Sequence, residues 1–250
     1  MKALITGASS GIGRDMAYYM SELGYDLILV ARDKKNLEEV KEKCKTKVKV
    51  IPLDLAEEKN CYALYEQTKE EKIDVLINGA GFGLFGVTWK TDLDRELKMI
   101  NLNIKAVHIL TKLFLPDFMK RDSGYIMNIA SSAGFLAGPR LNTYYATKNY
   151  VAKWTMAIYE ELRHEGSHVH ICTLCPGPVK TNFNKVAGGT FAVKEATSEY
   201  VAKYGINQMF KNKLIIVPKL SIKLSMFINR FAPWKLSMRV VYEIQKRKAR

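Results

Sequence analysis

The chain has 250 residues, 48% of them hydrophobic, which suits one α/β domain with a sizeable core or at most two small ones. No repeat or low-complexity tract appears, which excludes a disordered chain, and no apolar run is long enough to cross a bilayer as a helix. The net charge of +14 is uneven: residues 211–250 hold eleven Lys or Arg and one acid, whereas the first 210 hold 28 basic against 24 acidic side chains.

In chain order, Ala3-Leu4-Ile5 reads as a strand, Thr6–Gly13 as a glycine turn, and the segment from Arg14 as a helix that ends at Gly24. No charged n-region, apolar stretch and cleavage site precede the first strand, so no export signal is expected and a cytoplasmic location is the expectation. Leu27–Val30 is a strand buried on both faces, followed by a charged helix from Asp33, its N-cap, to Cys44. Val48–Leu53 is a third strand, Glu57–Lys69 a third helix, and Val75–Asn78 a fourth strand that ends in Gly79-Ala80-Gly81. A long helix through Leu93–Met119 carries Asn101 near its middle. Tyr125–Ala130 and Val169–Leu174 are strands flanking a helix over Tyr144–His164; Thr197–Asn212 is helical and Leu214–Val217 a last short strand. This alternation requires a doubly wound (Rossmann) parallel sheet with helices on both faces, over residues 1–218.

Cys44, Cys61, Cys172 and Cys175 are too few and scattered for a disulfide framework. Cys172 and Cys175 have C-x-x-C spacing but fall on opposite faces of one strand, so they read as buried hydrophobes. His168 and His170 would share a strand face, yet nothing completes a metal site around them, and no metal is expected.

Tyr144 and Lys148 lie four residues apart, on one helix face. A cation beside a phenol favours the phenolate, which makes a tyrosine usable as proton donor or acceptor for a carbonyl/alcohol pair. Ser131 closes a strand thirteen residues earlier, and Asn101 is a polar residue placed mid-helix. Cys175-Pro-Gly-Pro-Val-Lys-Thr181 forces a turn at another strand end.

With these residues the chain resembles the short-chain dehydrogenase/reductase family in its compact form, from Lys2 to about Val217. The matching motifs are T-G-A-S-S-G-I-G at Thr6–Gly13, Asp54-Leu55, N-G-A-G at Asn78–Gly81, Asn101, Ser131, Y-x-x-x-K at Tyr144–Lys148, and P-G at Pro176–Gly177. The resemblance implies hydride transfer between a nicotinamide and a carbonyl/alcohol carbon. It makes Tyr144 the acid or base and has Lys148 lower the phenol's pKa and hold the nicotinamide ribose. Ser131 would bind the reacting oxygen, and Asn101 would support a water-linked proton relay. It also implies a cofactor site made of Gly7, Ser9, Ser10, Gly11, Ile12, Gly13, Arg32, Asp54, Leu55, Asn78, Ala80, Gly81, Tyr144, Lys148, Pro176, Gly177, Val179 and Thr181. Gly79 departs from the usual N-N-A-G; an inter-strand hydrogen bond would be lost there and local rigidity reduced.

Arg32 follows strand two, where an acid would repel a 2′-phosphate; a guanidinium fork attracts it, so the expected cofactor is NADP(H), with Asp33 serving as helix cap. Ser10 weighs slightly against this, since many NADP(H)-preferring relatives carry a basic residue there. Phe82, Phe85, Trp89, Phe183, Phe191, Tyr200 and Tyr204 are the candidates for an apolar pocket, implying a bulky ketone or alcohol such as a hydroxysteroid or 3-oxoacyl compound.

Residues 219–250 form a basic extension. Leu220, Leu224, Phe227 and Phe231 share one helical stripe, and Pro233 starts a second helix with Trp234, Met238 and Val241 on one face. The favoured expectation packs the stripe on the body or across a dimer interface; a peripheral contact with an anionic membrane and attraction of an acidic substrate are the alternatives. A homodimer or homotetramer is expected, and no nucleic-acid partner, because no reading module accompanies the basic cluster. The competing functional reading is a non-enzymatic dinucleotide-binding or membrane-associated regulatory protein; nothing in mere binding requires Asn101, Ser131, Tyr144 and Lys148 together.

Overall fold

A computed structural model describes residues 1–188 and 195–246. In chain order its elements are β1 (Lys2–Thr6), α1 (Gly11–Glu22), β2 (Asp26–Ala31), α2 (Lys34–Glu42), β3 (Val48–Pro52), α3 (Glu58–Glu66) and β4 (Val75–Asn78). There follow α4 (Leu93–Ile100), a π-helical segment Asn101–Ala106, α5 (Val107–Arg121), β5 (Tyr125–Ile129), α6 (Asn142–His164) and β6 (His170–Leu174). The remainder comprises β7 (Val179–Lys180), α7 (Phe183–Ala187), β8 (Ala196–Thr197), α8 (Ser198–Met209), β9 (Ile215–Ile216), α9 (Leu220–Asn229) and α10 (Trp234–Lys246).

Seven strands pair in parallel in the order β3-β2-β1-β4-β5-β6-β9. The continuous apolar runs in β1, β2 and β4 follow from this, since helices cover both faces of the sheet. One face packs Ile5, Leu29, Met127 and Leu174 against α1, α2 and α8; the other packs Leu4, Ile28, Leu76 and Ile126 against α3, α5 and α6. Asp33 caps α2, its Oδ1 accepting from Asn36 N at 3.0 Å. No helix among the described residues is long and apolar enough to cross a membrane.

A buried polar string joins the middle of the sheet to two helices. Asn78 Nδ2 donates to Thr111 Oγ1 at 3.1 Å and to Asn128 Oδ1 at 2.9 Å, and Asn128 Nδ2 donates to Thr155 Oγ1 at 2.9 Å. Groups this deep cost about 1–3 kcal/mol each if left unpaired, so the string fixes how α5 and α6 seat on β4 and β5.

The expected long helix is interrupted. Its register slips by one residue per turn over Asn101–Ala106, and such bulges gather at functional sites. The histidines part company: His168 is exposed and pairs with Asp122, whereas His170 is buried between Tyr125 and Tyr159. Cys172 and Cys175 pack in separate clusters, and no metal-binding group of residues occurs among the described residues.

Candidate active site

Thr6 and Asn78 are register partners at the carboxyl ends of β1 and β4, where the strand order reverses. Doubly wound sheets open their ligand crevice at this point. Gly7 and Gly11 have φ of +71° and +55°, and a Cβ at Gly7 would lie 2.8 Å from the backbone of Ala80. A Cβ at Gly13 would lie 2.3 Å from the Gly7 carbonyl oxygen. Only glycine fits this turn. Ser10 caps α1 by backbone geometry and its hydroxyl makes no capping bond, so the first amides of α1 receive no side-chain cap. Close backbone approach at a helix N-terminus is what a dinucleotide pyrophosphate requires, and these residues fit it. Ser9 and Ile12 are half-buried beside it.

The neighbouring turn is tied to this one through Thr6, whose Oγ1 accepts from Gly79 N at 3.0 Å and Ala80 N at 3.2 Å. The loss of rigidity expected from Gly79 is offset by this hydroxyl. A Cβ at Gly79 would lie 2.8 Å from the Thr6 carbonyl oxygen. Asn78 turns its side chain into the buried string, so its part in the crevice is to hold the sheet beneath it.

At the far end of the crevice Asp54 caps its own turn, accepting from Ala56 N at 3.1 Å, and Leu55 is buried below. Lys98 Nζ lies 3.2 Å from Asp54 Oδ2, and the mostly exposed Arg32 lies 3.9 Å from the same oxygen. An exposed pair at that distance is weak and leaves the guanidinium able to turn to another anion.

Tyr144 and Lys148 occupy successive turns of α6. The ammonium donates to the Ile129 carbonyl at 2.7 Å and lies 6.0 Å from the Tyr144 ring centroid. Burial lowers the Lys148 pKa to about 8. The expected lowering of the phenol by Lys148 is not what the structure shows. Burial pushes Tyr144 up, and the opposing hydrogen bond comes from the Ser131 side chain. Ser131 is itself held at the end of β5: its Oγ accepts from Ala133 N at 3.1 Å and donates to the Pro176 carbonyl at 3.4 Å. Thr181 abuts the glycine turn, since a Cβ at Gly11 would meet its Cγ2 at 3.0 Å. Val179 anchors that segment in the core, and Gly177 lies under Ile222 of α9.

The asparagine delivered to the crevice is Asn103, two residues beyond the expected Asn101. Asn103 is fully buried; its Oδ1 accepts from Phe82 N at 3.1 Å and its Nδ2 donates to Phe82 O at 2.9 Å and to Thr147 Oγ1 at 3.1 Å. A Cβ at Gly81 would meet Asn103 Oδ1 at 2.9 Å and Lys148 Nζ at 3.4 Å, so the amide and the ammonium share the floor under Gly81. Asn101 begins the π-helical segment, half-exposed. The signal was present in the sequence: Met99, Leu102, Ala106, Val107 and Leu110 form the buried stripe, and Asn103 falls on it while Asn101 does not.

The expected apolar pocket is only partly assembled. The Phe183 ring packs 5.1 Å from the Tyr144 ring, and Phe85 is tied through its N–H to the Ala187 carbonyl at 2.8 Å. Phe82 packs into the core, Trp89 is exposed, and Tyr200 and Tyr204 face each other at a tilt on α8, across the sheet. Phe191 lies outside the described residues.

A doubly wound sheet with a glycine turn at its switch point and a Ser–Tyr–Lys set at the ends of β5 and α6 defines a class of dinucleotide-dependent reductases. Residues 1–190 match the family model for short chain dehydrogenases. The chain is 33% identical over 224 residues to mouse (Mus musculus) dehydrogenase/reductase SDR family member 7, covering 84% of this chain and 63% of the relative. It is 33% identical over 196 residues to the human (Homo sapiens) very-long-chain 3-oxoacyl-CoA reductase, covering 74% of this chain and 61% of the relative. Among solved structures, a short-chain dehydrogenase from Sphingobium yanoikuyae in complex with NADPH superposes with a TM-score of 0.83 at 26% identity, covering 92% of both chains. The chain belongs to the short-chain dehydrogenase/reductase family, and it spans about six-tenths of the length of these two curated relatives.

Proposed function

We propose that the protein is an NADP(H)-dependent oxidoreductase that interconverts a carbonyl and a secondary alcohol on a bulky apolar substrate. The observation that carries this reading is the convergence of Ser131, Tyr144 and Lys148 beside the glycine turn. Gly7, Gly11, Gly13 and the first turn of α1 would hold the pyrophosphate, Arg32 a 2′-phosphate, and Lys148 the nicotinamide ribose. When bound, the nicotinamide supplies or accepts the hydride.

The chain's own residues handle the proton. Burial keeps the Tyr144 phenol protonated through the physiological range, the form that donates to a carbonyl oxygen as reduction proceeds. Ser131 is placed to hydrogen-bond the same oxygen. Lys148, with its pKa lowered to about 8, is cationic at neutral pH and places a positive charge 6.0 Å from the Tyr144 ring centroid. Asn103 fixes Phe82 and Thr147 around that ammonium.

Phe183 against the Tyr144 ring gives the reacting end an apolar wall, which supports a hydrophobic ketone. The relative named as a very-long-chain 3-oxoacyl-CoA reductase and the NADPH complex of the solved relative support the same substrate type and cofactor. The test is a turnover screen over steroid, acyl and small polar ketones with NADPH and NADH, run on wild type and Tyr144→Phe. The expected result is NADPH-dependent reduction of bulky ketones, cut about 100-fold or more in Tyr144→Phe with NADPH binding retained. Unchanged turnover in that variant, or turnover of small polar ketones alone, would overturn the reading.

A further inference from the structure

The C-terminal helices point their apolar residues the wrong way for a free monomer. Leu220, Leu224, Phe227, Ile228 and Phe231 follow helical spacing along α9 and just beyond, and Trp234, Leu236 and Val240 continue the surface on α10; each is more than half exposed. The expected packing of the Leu220–Phe231 stripe on the body is therefore not what the chain does. Ile222 and Met226, on the other side of α9, pack on the cluster beneath. On α10 the buried positions are polar, Ser237 and Gln245. Eight exposed large apolar side chains gathered along two consecutive helices mark an interaction surface, unlike the singly scattered apolar residues of an ordinary soluble surface.

The patch is rigidly placed. Ile222 Cγ1 lies close over Gly177, where a Cβ would meet it at 2.9 Å. Gln245 Nε2 donates to Tyr145 Oη at 2.8 Å, next to the proton-donating Tyr144. Ser237 hydrogen-bonds Asn229, which joins the two helices.

Charge decides what covers it. Residues 219–246 carry Lys219, Lys223, Arg230, Lys235, Arg239 and Lys246 against the single acid Glu243. A surface groove of about 550 Å³ on α10 is lined by Lys235, Arg239, Tyr242, Met238 and Glu243. A second copy meeting this face through a two-fold axis would set these cations against themselves. Aromatic and aliphatic side chains interleaved with lysine and arginine suit the headgroup region of an anionic bilayer. We infer that α9 and α10 form an interfacial platform that docks the protein on an anionic lipid surface, with the crevice beside Tyr144 at its edge. An apolar substrate would then reach the site from the membrane. Docking itself does not depend on the proposed chemistry.

The test is co-flotation of the full chain with large unilamellar vesicles of phosphatidylcholine, with and without phosphatidylglycerol. Alongside it run Phe227→Ser/Phe231→Ser/Trp234→Ser and a sedimentation measurement of oligomeric state. The expected result is binding to the anionic vesicles about tenfold or more above neutral ones, weakened by salt and lost in the triple variant. The variant should keep the wild-type circular dichroism spectrum, because the three side chains are exposed. For wild type alone, a blue shift of tryptophan emission on adding anionic vesicles gives a reading that does not depend on how the variant folds. Failure of wild type to bind anionic vesicles would overturn the inference. So would a wild-type oligomer that dissociates in the triple variant, since that assigns the face to a second copy.

Discussion

Asn103 grips Phe82 by both of that residue's backbone polar groups, accepting from its N–H at 3.1 Å and donating to its carbonyl at 2.9 Å. The two bonds act like one rung of a sheet, made by a side chain. They hold the segment after Gly81 over the Lys148 ammonium, and a third bond to Thr147 ties the same amide to α6.

Replacing Asn103 should therefore damage both stability and turnover. Asn103→Ala strands the Phe82 N–H and removes three hydrogen bonds, so a loss of about 2–3 kcal/mol in urea unfolding is expected. Turnover with NADPH should fall about tenfold or more as the segment over Lys148 loosens. Asn101→Ala should stay within about 0.5 kcal/mol and about twofold in kcat, because Asn101 is half-exposed. Equal effects of the two variants would show that the asparagine has been assigned to the wrong position.

Lys148 gives a prediction with a definite sign. Burial lowers its pKa to about 8 in the folded protein, against an ordinary 10.5. Between those values the unfolded chain binds more protons than the folded one, so stability rises with pH through that window. Below about pH 8 both states are charged and the full cost of burying the cation remains. Wild type should thus gain on Lys148→Met as the pH is raised from about 7 to about 9.5, read by urea unfolding of both proteins. A stability difference that stays flat over that range would mean the amine is not shifted.

Two glycines with similar backbone angles separate geometry from function. Gly7 (φ +71°) would place a Cβ 2.8 Å from Ala80, whereas Gly24 (φ +85°) has open space around it. Gly24→Ala should cost only the left-handed backbone term, about 1–2 kcal/mol, with NADPH affinity unchanged. Gly7→Ala carries that term and must also push the two turns apart, so NADPH binding should weaken at least about tenfold by fluorescence titration. Similar affinities for the two variants would remove the glycine turn from the cofactor site.

How far the chain could be read without coordinates depended on whether the signal was local. Strand runs, the Asp33 cap and the glycine turn are set by neighbours a few residues apart, and they appear where the spacing puts them. The Asn78–Asn128–Thr155 string joins residues far apart in sequence, and no periodicity announces it. Asn103 was readable from the buried stripe, but the single-helix picture hid it, since the π-helical segment shifts which residues face inward. The aromatic pocket was legible only in part, for the opposite reason. Tyr200 and Tyr204 are close to Phe183 in sequence, but α8 runs on the other face of the sheet, so proximity along the chain did not mean a shared cavity.

Arg32 is the residue on which cofactor choice turns. Its guanidinium reaches Asp54 only at 3.9 Å, while Asp33, the acid that would repel a 2′-phosphate, has both carboxylate oxygens engaged by Asn36. A phosphate at this strand end would meet the exposed Arg32 guanidinium; Lys98, 3.2 Å from Asp54, offsets that acid, and Asp33 keeps its charge but is held against the first turn of α2. Charge-assisted hydrogen bonds of this kind are worth about 1.5–3 kcal/mol when enclosed, and less at an exposed site. Arg32→Ala should therefore weaken NADPH about tenfold and leave NADH within about twofold, measured by titration of each cofactor. Arg32→Glu should reverse the preference outright, since it restores an acid beside the ribose. If both cofactors lose affinity equally in Arg32→Ala, the guanidinium stacks on the adenine and does not read the phosphate.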